Sequence, residues 1–448
     1  MKRILSTIII SLLVGVCAFA QDFSTGYFLE GYTYSYRMNP ALRPSRNFIA
    51  LPAISNVNVN LQGNVGIDSF YFPLSNGKVG TFRHPEVSST EFLGGLPKTN
   101  QASLNVNTNV LAFGFKANRM FHTVDFNVRS INGLSASKEI FKYMKDGADG
   151  SLSIPGITFD NQSFVEVAYG LNTPIGENLV FGGRVKFLAG AEMIHANVSD
   201  ISITSDGYEE TISAKGTLKG AYTGLIVKTS DSADGTSHDV VEWEKVDFEP
   251  LEDFDGPAGF GAAIDLGIEY RLSPNLKLSA AVTDLGGISW DTPLNAETSN
   301  SSWKHEITGE YDVEEIVDMF EFHQKGSGKE FRMLPTTVRL GAEYSLSEKI
   351  GFGALATKKV GSFPLTEIRG SVNTFVGNFF GFSASAAYSN YGFSFGGAMN
   401  FDAHAIDFFI GFDAIPTRFS TQWIPLGHAN IAATFGLVIT FGKQVAIR

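Results

Sequence analysis

Cysteine is almost missing from this 448-residue chain: the only one is Cys17, inside the first twenty residues. Those residues read as a secretory signal. Lys2 and Arg3 form a basic start, Ile4 to Val16 are mostly apolar, and Ala18-Phe19-Ala20 forms a cleavage pattern before Gln21. Val16 stands where a lipoprotein signal needs a small residue ahead of Cys17. Once the signal is removed near Ala20, the mature chain has no thiol, which excludes disulfides and thiolate chemistry. No later stretch reaches the ~18 consecutive apolar residues of a spanning helix. A basic block is also lacking. The formal charge of −12 becomes −14 when Lys2 and Arg3 leave, so nucleic acid is not an expected partner.

Aromatic residues and glycine are abundant instead, with 38 Phe and 47 Gly. Aromatics suit strands, and glycine fits where strands bend or pack closely inside a closed sheet. The apolar residues follow a period of two. In "FGAAIDLGIEY" Phe260, Ala262, Ile264, Leu266, Ile268 and Tyr270 share one face, opposite Asp265, Glu269 and small residues. A tight Ser273-Pro274-Asn275 turn follows, and alternation resumes at Leu276. The same plan recurs at 164–187, turning at Pro174–Asn178, and at 338–356, turning at Ser347–Lys349. Further short turns fit at Lys116–Met120, Val376–Asn378 and Phe401–His404.

The opposite connections fall near 63–101, 134–161, 192–256, 291–332, 360–365, 389–391 and 415–429, several of them long and polar. Short turns at one end, long loops at the other and an even strand number predict an all-β fold: a closed antiparallel transmembrane β-barrel. Six turns and seven loops join about fourteen strands, and twelve to sixteen fit the pattern, since "SDISITSDGYEETISAKGTL" offers another hairpin. Strands of about 10–14 residues match the ~9–11 needed to cross a bilayer at a tilt. Closure follows because an open edge would leave backbone groups unpaired in lipid. A soluble β-sandwich is the competing architecture, but it would not show so uniform a Phe, Leu, Ile, Val and Tyr face opposite the charges.

If that face meets lipid, the polar face lines the lumen. It carries Asp125, Arg129, Glu166, Arg184, Lys186, Asp265, Glu269, Arg339, Glu343 and Arg369. Charges of both signs at this density are expected to pair and fill the barrel. A pore selective for one ion sign would show a one-sided bias, and none is present. Residues 21–46, "QDFSTGYFLEGYTYSYRMNPALRPSR", do not read as strand and form a spare N-terminal piece, a plug or hatch segment. The barrel is expected over 47–442, with a tail at 443–448.

Eight histidines are scattered, at 84, 122, 195, 238, 305, 323, 404 and 428, without metal-ligand spacing. "DSADGTSHD" (231–239) and "DFEPLEDFDG" (247–256) depart from the calcium-loop template and read as solvated surface. No phosphate loop occurs. Cofactors and metals are therefore not expected. His238 beside Asp239, and His428, are the sole catalytic candidates, too little to predict an enzyme.

The Asn39-Pro40-Ala41 triplet, the "VTDLGGISW" run (282–290) and the fourteen-strand count resemble the long-chain fatty-acid transporter superfamily of outer-membrane barrels. The likeness is nearer to the type IX secretion shuttle barrel and related barrels. The resemblance implies that Asn39, Pro40 and Ala41 lie in a hatch inside the barrel. It also implies residence in the outer membrane of a Gram-negative bacterium and transport of small, hydrophobic compounds through contact with outer-membrane lipid. The competing function is a sealed barrel whose long loops bind secreted or surface proteins. One departure from outer-membrane barrels is the C-terminus: the last apolar face ends at Phe441, and seven residues follow it.

Overall fold

The computed structural model describes residues 23–52, 56–231, 239–242, 247–248, 256–306, 322–377, 379–403, 405–414 and 428–442. The signal segment with Cys17, the two acidic loops over most of their length, most of the 415–429 loop and the tail after Gly442 lie outside these residues. Alternation becomes wall geometry as expected. Phe260, Ile264, Leu266, Ile268 and Tyr270 point outward, while Ala263 and Asp265 are buried inside.

Fourteen antiparallel strands close into one barrel. The first, β1, comes in two pieces, Asn47–Ala50 and Asn56–Gly66. The others are β2 (Thr99–Ala117), β3 (Met120–Ser137), β4 (Ser151–Ile175), β5 (Leu179–Ser205), β6 (Gly259–Ser273) and β7 (Leu276–Thr292). They continue as β8 (Thr337–Ser345), β9 (Ile350–Lys359), β10 (Leu365–Val376), β11 (Phe380–Ser389), β12 (Gly392–Asp402), β13 (Ile406–Ala414) and β14 (His428–Phe441). Both pieces of β1 pair with β14 on one side and β2 on the other, so no edge is left. Outside, Phe, Leu, Ile, Val and Tyr form the apolar surface that a bilayer requires. Among the described residues no helix is long and apolar enough to span a membrane.

The wall is lopsided. Strands β8 to β13 have 9–12 residues, whereas β4 and β5 have 25 and 27. At ~3.3 Å per residue the latter extend roughly 80–90 Å, far beyond a hydrocarbon layer of ~30 Å. This corrects the expected strand lengths and two of the expected loops. The 134–161 window is strand at both ends, with a short helix α1 (Lys138–Asp146) between. Within 192–256, β5 runs on to Ser205 and turns into a further strand, Glu209–Tyr222, which pairs with Leu294–Glu306. These strands persist outside the membrane because they have their own apolar filling: Ile154, Ile203 and Ile212 bury against Ile140 and Tyr143 of the helix. The extra hairpin lies above the barrel, so the count stays at fourteen.

Residues 23–46 run inside the barrel as two 3₁₀ turns, Ser24–Phe28 and Thr33–Arg37. Phe23, Tyr27, Tyr32, Tyr34 and Tyr36 are all almost fully buried and pack with Phe48, Phe121 and Phe409 of the wall. A segment too Tyr- and Pro-rich for a strand thus finds its burial against inward aromatic residues rather than in a ladder.

Candidate functional site

All ten sequence-identified lumen residues face inward, and they sort into groups. Asp125, Arg129, Glu166, Arg184, Lys186 and Asp265 join one network at the middle of the barrel. Arg184 donates to Asp125 at 2.8 Å and to Asp265 at 3.0 Å. Arg129 donates to Glu166 at 2.7 Å. Lys186 lies 2.7 Å from Asp265. The register explains the pairings: Arg184 stands opposite Asp265 across the β5–β6 ladder, and Asn127 opposite Glu166 across β3–β4. Ala168 and Gly170 on β4 leave the space over which the long Arg184 side chain reaches β3.

Two members came from outside the sequence reading. Asp284 sits in β7 with φ of +60° at a register break, so Thr283 and Asp284 both turn inward where alternation allows only one. Its carboxylate accepts two hydrogen bonds from Arg129, at 2.8 and 3.0 Å, and one from Lys186 at 2.6 Å. A β-bulge of this kind re-aims a side chain into a site. The Asp-Leu-Gly-Gly sequence (284–287), able to adopt left-handed backbone, was the available signal. The other is Arg37 of the internal segment, which donates to Asp125 at 2.8 Å and Asn127 at 2.9 Å. Tyr36 adds a third donor to Asp125 at 2.6 Å. Four cations (Arg37, Arg129, Arg184, Lys186) therefore meet four carboxylates (Asp125, Glu166, Asp265, Asp284) in a buried, balanced cluster.

The remaining four lie elsewhere. Arg369 holds both oxygens of Glu367 at 3.0 Å and donates to Asp413 at 2.6 Å and Thr25 at 3.0 Å. Glu343 pairs with Lys277 at 3.5 Å toward the short-turn end, near which Glu269 is half-buried. Arg339, fully buried, donates to Thr283 at 3.2 Å and contacts the Met38 carbonyl.

Asn39, Pro40 and Ala41 form a tight turn seated on the wall. The Asn39 carboxamide accepts from the Ala41 N–H at 2.9 Å and donates to the Tyr27 hydroxyl at 2.9 Å. Asn172 of β4 donates to the Pro40 and Ala41 carbonyls. The turn lies directly on Gly182 and Gly267. A Cβ at either would come within 2.0 Å of the Pro40 backbone or the Asn39 side chain. Only glycine permits this approach.

Above the segment, toward the long-loop end, the lumen holds a cavity of ≈ 350 Å³ and, sharing Lys359 with it, a small one of ≈ 30 Å³, room for about one water. The smaller is lined by amides, hydroxyls and paired charges; the larger combines amides with apolar surface from Ile131, Phe331, Leu334 and Phe363. Asn56, Asn58 and Asn60 of β1 stand opposite Asn109, Asn107 and Asn105 of β2, a ladder of carboxamides along the inner face. Phe363, from the short 360–364 connection, lines the larger cavity with its ring packed on Gly133 of β3. Nearby, Asp160 accepts from His195 and Arg332. His238 and His404 fall outside the described residues, and His323 pairs with Asp239 at 2.8 Å. Among the described residues no group of three or more His, Cys, Asp or Glu is placed to hold a metal.

A family model described as a family of unknown function, DUF5723, matches residues 40–413. No curated protein matches the chain in sequence. Among solved structures, the Pseudomonas putida toluene transporter TodX is 10% identical, covering 95% of this chain and 100% of its own at a TM-score of 0.46. The Ralstonia pickettii toluene transporter TbuX is 9% identical, covering 91% and 94% at 0.45. A Pseudomonas aeruginosa FadL homologue is 10% identical, covering 94% and 98% at 0.44. The similarity is one of overall shape, and at this identity nothing about cargo passes with it.

Proposed function

We propose, for a chain that belongs to the DUF5723 family of unknown function, that it is an outer-membrane transport barrel gated by its N-terminal segment. The observation that carries this reading is the seating of residues 23–46. They occupy the lumen without joining the wall ladder, held by side-chain hydrogen bonds, ion pairs and ring contacts. Such contacts can be exchanged for water when the segment moves, whereas ladder bonds would unzip the barrel. Seated, the segment closes the lumen; displaced, it leaves a passage lined by β1–β7 polar groups.

A small hydrophobic cargo is what the fatty-acid-transporter resemblance implies, and TodX and TbuX are named as toluene transporters. The walls of this chain's own cavities combine apolar surface with amides and hydroxyls, which suits a small compound that also forms hydrogen bonds. A second reading, a sealed barrel acting as a binding platform, draws support from the tall sheet formed by β4, β5 and the 209–222 and 294–306 strands.

Deleting residues 23–46 from the purified barrel and reconstituting it in liposomes separates the two. Gating predicts a large rise in conductance and solute uptake relative to the full chain. Unchanged permeability in a deletion that keeps its heat-modifiable gel mobility would leave the platform reading standing.

A further inference from the structure

We infer that the cavity pair above the N-terminal segment is a binding site for a neutral, polyhydroxylated solute of saccharide type. The proposal names the cargo class for the transport reading and rests on that reading for its role; the binding itself stands on the chamber.

The amide wall is the first observation. Asn60 and Gln62 line the smaller cavity, and Asn105, Asn161 and Gln162 the larger one. Asn60 and Asn105 are cross-strand partners, which joins the two walls. The second observation is hydrogen-bonding capacity left over. The side-chain carbonyl oxygens of Asn60, Asn161 and Gln162, and the Thr357 hydroxyl, are buried with no partner among the described residues. Each of these side chains is more than nine-tenths buried. Asn161 shows how directional this is. Its NH₂ donates to Asn132 at 2.7 Å, and its carbonyl oxygen is left over. Buried polar atoms are nearly always satisfied; the exceptions among the described residues are spread through the barrel, and the four at this chamber are ones that an entering solute can answer.

The chemistry of the occupant follows from what is offered. Carboxamide oxygens accept, so the ligand must bring several donors. An apolar cargo would desolvate these oxygens and give nothing back. An ion meets charged groups that already have hydrogen-bond or ion-pair partners. At one end Arg369 is held by Glu367 and Asp413, and at the other Arg332 is held by Asp160 and Glu330. Lys359 between the cavities donates to Gln62 at 3.1 Å. Hydroxyl groups meet the requirement, being donors and acceptors without charge. The Phe363 ring lining the larger cavity offers a flat apolar surface for the C–H face of a sugar ring.

The test uses the full chain in detergent, titrated calorimetrically with glucose, maltose and raffinose, with toluene as the contrasting probe. Saccharide binding is expected, with affinity falling at least tenfold in Asn161→Leu/Gln162→Leu and in Asn60→Leu. Heat-shifted gel mobility shows that each variant is folded. Asn161→Asp, which keeps the acceptor oxygens, should retain more binding than Asn161→Leu and serves if the double variant does not fold. Absence of heat with all three saccharides overturns the proposal, as does binding that the folded variants leave unchanged. Saccharide binding with no flux through the 23–46 deletion would sink the gating reading while leaving this site in place.

Discussion

Asp125 shows how tightly the lumen charges are set. It is fully buried and receives Arg37, Arg184 and the Tyr36 hydroxyl, so two guanidiniums depend on one carboxylate. A balanced buried cluster adds little net stability over apolar packing, because desolvation offsets the attraction. Removing one member is different, since it strands buried charge. Asp125→Ala should destabilise the folded barrel by about 3–5 kcal/mol, read as a lower urea midpoint for the loss of heat-shifted gel mobility. Asp284→Ala should act similarly through Arg129 and Lys186. The paired variant Asp284→Ala/Arg129→Met should recover part of the loss, because the two are coupled. Period-two alternation identified Asp125, Arg129, Glu166, Arg184, Lys186 and Asp265 as inward. It missed Asp284 because a bulge breaks the period there, and Arg37 because it lies on no strand.

At the level of elements, the turn of Asn39-Pro40-Ala41 on Gly182 and Gly267 is the tightest contact between segment and wall. Gly267→Val should push the turn off its seat without disturbing the ladder, since valine suits a strand. The expected outcome is channel openings in planar bilayers that the unmodified chain lacks, with the barrel still heat-modifiable. At the other end, the 360–364 connection packs the Phe363 ring on Gly133 beside the larger cavity. In a chain with Cys17 replaced by Ser, a cysteine introduced at Asn105 reports access to the chamber. Phe363→Ala should speed its reaction with a water-soluble maleimide several-fold; an unchanged rate would show that the ring does not limit entry. The lengths of β4 and β5 escaped sequence reading for a physical reason. A strand in water alternates like one in lipid, so the pattern does not tell where the membrane ends.

On the scale of the whole molecule, the segment contributes one cation to a cluster of four and four. Without residues 23–46 the lumen keeps Arg129, Arg184 and Lys186 against Asp125, Glu166, Asp265 and Asp284. The open barrel should therefore be weakly cation-selective, since a ring of excess carboxylate favours cations. A reversal potential under a potassium chloride gradient measures this, and restoring charge balance with Asp125→Asn should shift it toward zero. The barrel's height is also uneven, with a low rim at β9–β12 and a tall sheet over β4 and β5.

The sequence by itself determined the closed barrel and its inward and outward faces, and bounded the strand count at twelve to sixteen. Those follow from a local rule, the alternation of side chains along an extended chain, together with the need to pair every backbone group in lipid. What only the tertiary structure decided is which inward groups meet. Arg129 reaches Asp284 from four strands away, Arg37 reaches Asp125 from a segment with no ladder, and amides from β1, β2 and β4 share one chamber. Barrel curvature and the path of residues 23–46 bring these together, and neither leaves a periodic trace in the chain.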